Sequence, residues 1–122
     1  MTNPFRDQEK FMKACDQKVD AYSILQYKMY LNLIDEEHRE LREAVEADDL
    51  TEQLDALIDI LVVTIGAIHS AGFDGEGAWK EVMSTNFAKI DRETGKVRKR
   101  EDGKVLKPVG WKAPELGNFL KK

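Results

Sequence analysis

Hydrophobic residues recur every three or four positions along most of the first 90 residues, which is the spacing of the apolar face of a helix. The pattern is weak over about residues 3–18 and strong over residues 23–47. A third helix is predicted over residues 49–72, because an Asp able to cap a helix opens this stretch and a Gly suited to a left-handed cap closes it. A fourth is predicted over residues 74–90, and we expect it to bury Trp79, Val82, Met83, Phe87 and Ile90. The short connections between the last three predict an all-α, antiparallel four-helix bundle.

The helical pattern stops near residue 90, where Gly, Pro and charged residues begin to interrupt the chain. Two short extended pieces are predicted on either side of the turn Asp102-Gly103. We therefore expect one domain over residues 1–122, composed of a helical core over about 3–90 and an extended basic C-terminal arm over about 91–122.

Composition describes an ordinary helix-rich protein, with 42% hydrophobic and 34% charged residues. The single cysteine, Cys15, cannot form an internal disulfide, which fits a reducing cytoplasm. The longest apolar run is interrupted by Asp59 and falls short of the roughly 20 residues of a membrane span. We expect a cytoplasmic protein without membrane association. A bundle this thin often completes its core by oligomerising, so we expect a homo-oligomer.

Charge is distributed unevenly along the chain. Residues 1–85 carry 18 acidic and 8 basic residues, whereas residues 86–122 carry 5 acidic and 11 basic residues. An acidic body repels the phosphate backbone of nucleic acids, so we expect no nucleic-acid partner. The same split favours metal ions bound by the acidic part and phosphate groups bound by the basic part.

Five acidic residues on two neighbouring predicted helices are the strongest candidates for chemistry. They are Glu36, Glu37 and Glu40 on the second helix and Asp55 and Asp59 on the third. Asp59 stands in an otherwise apolar run, where an ionised carboxylate costs several kcal/mol unless a cation or a donor compensates it. Helical spacing lets Glu40 share a face with Glu36 or with Glu37, and antiparallel packing lets the two acidic groups meet. Such oxygen-only ligands favour Mg²⁺ or Mn²⁺.

Four motifs occur in a fixed order along the chain: Glu-Glu-x-x-Glu at 36–40, an acid-bearing apolar helix at 55–66, Asn-Phe-Ala-Lys at 86–89, and Asp-Gly-Lys-Val-Leu-Lys-Pro-Val-Gly-Trp at 102–111. Together they resemble the MazG-like all-α nucleoside triphosphate pyrophosphohydrolases, in the single-domain dUTPase-like and phage-type branch. The similarity extends over most of residues 24–112. The double-Glu motif is weak alone, and the order of all four makes the resemblance specific.

The resemblance implies a homodimer or homotetramer. It also implies a Mg²⁺-dependent enzyme in which Mn²⁺ can substitute. Its metal ions activate a water that cleaves a nucleoside triphosphate, such as dUTP or dGTP, to the monophosphate and pyrophosphate. The metal ligands carried over are Glu37, Glu40 and Asp59, with Asp55 added, and the catalytic residues are Glu36, Glu37 and Glu40. Glu36 matches the leading Glu and is a spare carboxylate able to assist. The residues expected to bind the nucleoside triphosphate are Asn86, Lys89, Lys104 and Lys107.

The chain departs from the family pattern at one ligand position. The family usually has Glu three residues before the Asp that corresponds to Asp59, and here Ala56 occupies that position. Asp55 lies one helical turn before Asp59 and is the preferred stand-in. Glu52 satisfies the literal spacing to Asp55 but leaves Asp59 without a role, so we assign Glu52 to the helix cap.

Other functions remain to be compared with this hypothesis. Phosphoribosyl-ATP pyrophosphohydrolase shares the superfamily, although the long basic tail fits it less well. A non-enzymatic, carboxylate-rich metal-binding bundle is a second alternative. A di-iron bundle normally needs Glu-x-x-His pairs, and neither His38 nor His69 follows a Glu at that spacing. A helical interaction module with only surface acids does not explain Asp59.

Overall fold

In the computed structural model, which describes residues 3–122, the chain forms four α-helices. These are α1 (Pro4–Ala14), α2 (Ile24–Glu46), α3 (Leu50–Ser70) and α4 (Gly75–Phe87), with a 3-10 helix at Leu116–Phe119. No β-strand forms within residues 3–122, where isolated bridges join Ile90 to Val97 and Lys99 to Val105. The predicted all-α class and the four helices are therefore confirmed.

Capping groups at both ends set the boundaries of α3. The Asp49 side chain accepts a hydrogen bond from the backbone N–H of Glu52 at 3.0 Å, which satisfies a free donor of the first turn. Beyond the last turn, Gly72 adopts a left-handed φ of 76°, and its N–H donates to the His69 carbonyl at 3.0 Å. Both predicted cap residues are confirmed.

Helix α1 ends at Ala14, earlier than predicted. The left-handed residue that follows its end is an aspartate rather than the usual glycine. Asp16 has a left-handed φ of 57°, and the N–H of Gln17 donates to the Met12 carbonyl at 2.9 Å. A short polar side chain tolerates this conformation at modest cost. Asp48, with a φ of 53°, closes the end of α2 in the same way.

The described chain divides into two compact units, one formed by residues 3–75 with 120–122 and the other by residues 76–119. In the first unit, α3 packs along α2 and also contacts α1. The short turn between α2 and α3 makes these two helices antiparallel. The buried core of this unit is formed by Met12, Val19, Tyr30, Val63 and Ala67.

Helices α2 and α3 approach each other most tightly where the Tyr30 ring lies against Gly66. A Cβ atom at position 66 would lie 2.5 Å from Tyr30 Cδ1, well inside van der Waals contact. The ring is buried, and its hydroxyl donates to the Gln17 side-chain oxygen at 2.5 Å. Burial raises the pKa of the Tyr30 phenol, which keeps the hydroxyl protonated as a donor. The missing side chain at Gly66 thus sets the distance between the two helices.

Helix α3 has the length and the mean hydropathy, 1.4, of a helix that could cross a membrane. This differs from the expectation that Asp59 breaks the apolar run, because the three acids of α3 all lie in its first half and the rest of the helix is strongly apolar. The core helix of a helical bundle has the same composition, and α3 packs against both α2 and α1.

In the second unit, irregular chain folds back against α4. The Trp111 indole N–H donates to the Thr85 carbonyl at 2.7 Å, which joins residues 26 positions apart. The predicted turn at Asp102-Gly103 is confirmed, since Gly103 has a φ of 88° and its N–H donates to the Arg100 carbonyl at 2.9 Å.

The expectation that α4 buries its large apolar side chains is wrong for three of them. Trp79 and Phe87 are 59% and 60% exposed, and Ile90, beyond the end of the helix, is 40% exposed. Helix α4 is only 13 residues long, and the chain that follows it within the second unit is rich in charged residues and poor in large apolar ones. It therefore offers little apolar surface to cover these side chains.

The chain returns to the first unit through Lys122. The Lys122 ammonium donates to the Val19 carbonyl and to His69 Nδ1, the latter at 3.0 Å, and lies 3.5 Å from a Glu9 carboxylate oxygen. His69 Nε2 lies 2.8 Å from the Phe5 carbonyl oxygen and carries the ring hydrogen, because a carbonyl only accepts. The buried, neutral His69 ring therefore joins α1, α3 and Lys122.

Replacing Gly66 with alanine should destabilise the protein, because the new methyl group overlaps the Tyr30 ring. Forcing the helices apart costs about 1–3 kcal/mol, more than the up to about 1 kcal/mol that alanine gains over glycine in helix propensity. Thermal or urea unfolding followed by circular dichroism measures the change. Gly117→Ala is the control, since a Cβ there meets nothing within 4 Å. A Gly66→Ala variant as stable as the wild type would contradict the proposed contact.

Candidate functional site

The packing of α2 against α3 brings four carboxylates within electrostatic range of one another. Glu37 and Glu40 come from α2, and Asp55 and Asp59 come from α3. Glu37 and Asp59 are partly buried, whereas Glu40 and Asp55 are exposed. We call these four residues the carboxylate cluster.

The four carboxylates of the cluster repel one another. Burial raises the pKa of Glu37 to about 7, and a hydrogen bond and charge repulsion from Glu40, with the charges of Asp59 and Asp55, add to this rise. Burial also raises the pKa of Asp59, followed by the charges of Asp55 and Glu40. Among residues 3–122, none of the four carboxylates forms an ion pair with a lysine or arginine. The protein itself leaves this negative charge uncompensated.

One atom of the cluster lacks any partner within the described chain. Oε2 of Glu37 is buried and has no hydrogen-bond partner in residues 3–122. Leaving a buried polar atom unsatisfied costs about 1–3 kcal/mol, and more for a charged group. An ion or donor from outside the chain would remove this cost. The four side chains offer only carboxylate oxygens, which suit a hard divalent cation.

The described residues contain no group of three or more His, Cys, Asp or Glu side chains already arranged to hold a metal ion. The carboxylate cluster is therefore close enough for mutual repulsion but is not a preformed cage. This is the expected arrangement for like charges, which separate as far as their rotamers allow.

The residues considered beside the main metal ligands differ in their burial and in their electrostatic interactions with the cluster. Ala56, at the position of the family's usual Glu, is 3% exposed, so a longer acidic side chain there would be buried. The charge of Asp55, the preceding residue, raises the pKa of both Glu37 and Asp59, whereas Glu52 contributes to neither shift. Glu36 is exposed and also lies outside these electrostatic interactions.

Three of the four predicted substrate-binding residues lie together in the second unit, around the Trp111 ring. The ammonium groups of Lys89 and Lys107 lie 5.0 and 4.9 Å from the centre of this ring, within cation–π distance. Lys89 also donates to the Asn86 side-chain oxygen at 3.1 Å. Lys104 is exposed in the hairpin turn and takes no part in these contacts of the described chain.

Trp111 is not among the predicted site residues, although it organises three of them. Its ring contacts both lysines, and its N–H fixes it to the Thr85 carbonyl. The available signal is a tryptophan placed four residues after Lys107 in a basic segment, where cation–π contacts are possible. Nothing in the sequence pattern points to Thr85, because its backbone carbonyl rather than its side chain is used.

A model of the phosphoribosyl-ATP pyrophosphohydrolase family matches residues 6–86. The matched stretch includes all four residues of the carboxylate cluster and ends at Asn86, before Lys89, Lys104 and Lys107. No curated protein matches the chain.

The carboxylate cluster should make the metal-free protein less stable as pH rises. The pKa of Glu37 is about 7 in the folded protein and about 4.3 in an unfolded chain. A raised pKa means that the stabilising contribution of Glu37 is complete below its unfolded pKa and is lost as pH rises through about 7. Glu37→Gln should therefore match the wild type near pH 4 and become increasingly more stable than it up to pH 8.

Urea unfolding in a chelator between pH 4 and pH 8 measures this difference. Glu43→Gln is the matched control, because Glu43 is an exposed glutamate of α2 outside the cluster. Its stability relative to the wild type should stay constant across the range. If the stability of Glu37→Gln relative to the wild type also stayed constant with pH, this result would contradict the raised pKa of Glu37.

Proposed function

Because the chain belongs to the phosphoribosyl-ATP pyrophosphohydrolase family, we propose that it releases pyrophosphate from the triphosphate group of phosphoribosyl-ATP. The family is part of the MazG-like superfamily, so the chain is a nucleotide pyrophosphohydrolase, a hydrolase acting on phosphoric anhydrides. The observation that carries the assignment is the match over residues 6–86, which includes the whole carboxylate cluster.

The proposed substrate replaces the one expected from the sequence motifs. The match does not support dUTP or another dNTP as substrate, and it fits the phosphoribosyl-ATP alternative better. The basic tail weighed against that alternative, but the tail lies beyond residue 86 and outside the matched stretch. Its length therefore says little about which nucleotide the helical part accepts.

We propose that the carboxylate cluster binds Mg²⁺, with Mn²⁺ as a substitute. The support is the unpartnered Oε2 of Glu37 together with the mutual repulsion of four carboxylates that no basic residue of the described chain relieves. Bound Mg²⁺ would polarise phosphate oxygens and lower the pKa of a water. Metal binding also requires ionised carboxylates, so the affinity for Mg²⁺ should increase as Glu37 loses its proton.

The remaining steps fall to residues of the chain. Glu36 is exposed beside the carboxylate cluster and can accept the proton that a water loses when it attacks phosphorus. The anhydride bond breaks, and pyrophosphate leaves with the bonding electrons. Asn86, Lys89, Lys104 and Lys107 bind the sugar or phosphates, and the Lys89–Asn86 hydrogen bond restricts the ammonium before substrate arrives.

Pyrophosphate release in the presence of Mg²⁺ should be observed with phosphoribosyl-ATP, and all dNTPs and NTPs serve as comparison substrates. Asp59→Asn should lose at least about 100-fold in activity, since groups that merely support metal ligands already contribute 10–100-fold. The activity of Asp55→Asn should also fall strongly. Glu52→Gln should retain activity, because Glu52 takes no part in the cluster.

Several outcomes would overturn parts of this assignment. Hydrolysis of dUTP without hydrolysis of phosphoribosyl-ATP would reject the substrate. Mg²⁺ binding without hydrolysis of any nucleotide would favour the non-enzymatic metal-binding bundle. Full activity in Asp59→Asn would remove this residue from the site.

We also propose that a second copy of the chain covers one face of α3. Four leucines there are between 49% and 78% exposed: Leu50, Leu54, Leu57 and Leu61. Their spacing of four, three and four residues is the repeat by which two helices pack against each other. We call this row the leucine face.

Charge favours a second copy as the occupant of the leucine face. The acids of α3, including Asp55 and Asp59, lie on other sides of the helix, so the face carries no charge. Residues 1–85 carry 10 more acids than bases, so the acidic surfaces of two copies would repel each other. Ile58, which is 51% exposed, widens the face. Pairing through this face would form a homodimer, and two dimers would form a tetramer.

Leu54→Glu should convert the wild-type oligomer to a smaller species, because it places a charge in the centre of the leucine face. Light scattering coupled to size-exclusion chromatography measures the mass of each species. Leu25→Glu is the control, since Leu25 is also an exposed leucine, at 80% against 62% for Leu54, and lies on α2, outside the leucine face. Dissociation by Leu25→Glu and not by Leu54→Glu would show that the copies meet through another surface.

A further inference from the structure

A cleft in the second unit lies between the end of α4 and the segment 106–109. It has a volume of about 440 Å³, within the range of small-molecule sites. Lys89, Arg92 and Arg98 line it together with Asp91, and Leu106 and Val109 form part of an apolar wall. We call it the arginine cleft.

The arginine cleft has more positive charge than the protein neutralises. Asp91 is its one acidic lining residue, and its Oδ1 accepts from the N–H of Glu93 at 2.8 Å. Its Oδ2 lies 3.9 Å from Nε of Arg98, beyond hydrogen-bond distance. Arg92 has no hydrogen bond or ion pair within residues 3–122. Three cations therefore face one carboxylate that is already engaged in its own turn.

Two further features of the cleft leave this surplus in place. The Lys89 ammonium is held by the Asn86 amide oxygen, which is neutral and does not cancel its charge. The C-terminal end of α4 contributes a partial negative charge of about half a unit, less than the surplus of about two. The concave surface thus favours an anion with more than one negative oxygen.

In the same segment, the charge of Arg100 is neutralised by a carboxylate of the protein. Its guanidinium donates to both oxygens of Asp102, at 2.7 and 3.2 Å. This pair lowers the pKa of Asp102 through hydrogen bonding from Arg100. Arg92 and Arg98 have no such bidentate partner, although their segment is rich in charges of both signs.

We propose that the arginine cleft binds a di- or triphosphate group, with Arg92 and Arg98 as its guanidinium ligands. The planar guanidinium donates in pairs to phosphate oxygens, and two of them with Lys89 match the several charges of a polyphosphate. A single carboxylate would leave most of the surplus charge unbalanced. This proposal rests on the proposed function for the origin of the group, which is the triphosphate of the nucleotide substrate or the released pyrophosphate.

Binding of inorganic tripolyphosphate and pyrophosphate, measured calorimetrically in a chelator, tests the cleft without the metal. The wild type should bind both, more weakly as salt increases. Arg92→Gln and Arg98→Gln should each weaken binding about tenfold, as expected for loss of a charge-assisted hydrogen bond. Arg100→Gln removes the same charge from the same segment and should leave binding unchanged, because Arg100 is already paired with Asp102.

Kinetics of pyrophosphate release separate the two sources of the phosphate group. If the cleft holds the substrate, the KM of the double variant Arg92→Gln/Arg98→Gln rises while kcat stays near the wild type. If it holds the product, inhibition by added pyrophosphate weakens and KM is unchanged. Wild-type affinity for tripolyphosphate in the double variant, or equal weakening by Arg100→Gln, would overturn the proposal. Binding of tripolyphosphate in a chelator can be measured even if no nucleotide is hydrolysed. Failure of this proposal is therefore distinguishable from failure of the enzymatic function.

Discussion

The contact between the Tyr30 ring and Gly66 determines how closely α2 and α3 pack. Only a residue without a side chain leaves room for the ring at this point of α3, and the hydrogen bond from the Tyr30 hydroxyl to Gln17 holds the ring in place. The carboxylate cluster depends on this spacing, because Glu37 and Asp59 come from the two facing helices. A wider separation would relieve their repulsion, whereas the packed core opposes it.

The first unit therefore combines a packed core with a carboxylate cluster whose repulsion opposes the close packing of α2 and α3. Burial and like charges raise the pKa of Glu37 and Asp59, and one oxygen of Glu37 has no partner in the described chain. Such strain is common where a protein prepares a site for a ligand that it does not itself contain. The second unit holds the opposite charge at two places, since Lys89 and Lys107 lie around Trp111 and Arg92 and Arg98 line the arginine cleft.

Most of the helical framework could be predicted from sequence, because the apolar spacing and the caps at Asp49 and Gly72 are local signals. The end of α1 could not, since Asp16 adopts a conformation usually signalled by glycine. Helical spacing placed the acids of α2 and α3 on facing helices, but it could not show that Glu36 lies outside the cluster. The grouping around Trp111 depends on a hydrogen bond over 26 residues, and no local pattern encodes such a contact.

The position of Lys122 has a consequence for the order in which the protein can be built. Its ammonium contacts Val19 and His69, which precede it by 103 and 53 residues. During synthesis, α1, α2 and α3 are made before Lys122, so any folding of these helices at that stage takes place without the cation that later joins them. The first unit is therefore completed only after the whole second unit has been translated. Contacts between such distant residues also slow folding, because a long loop must close before they form.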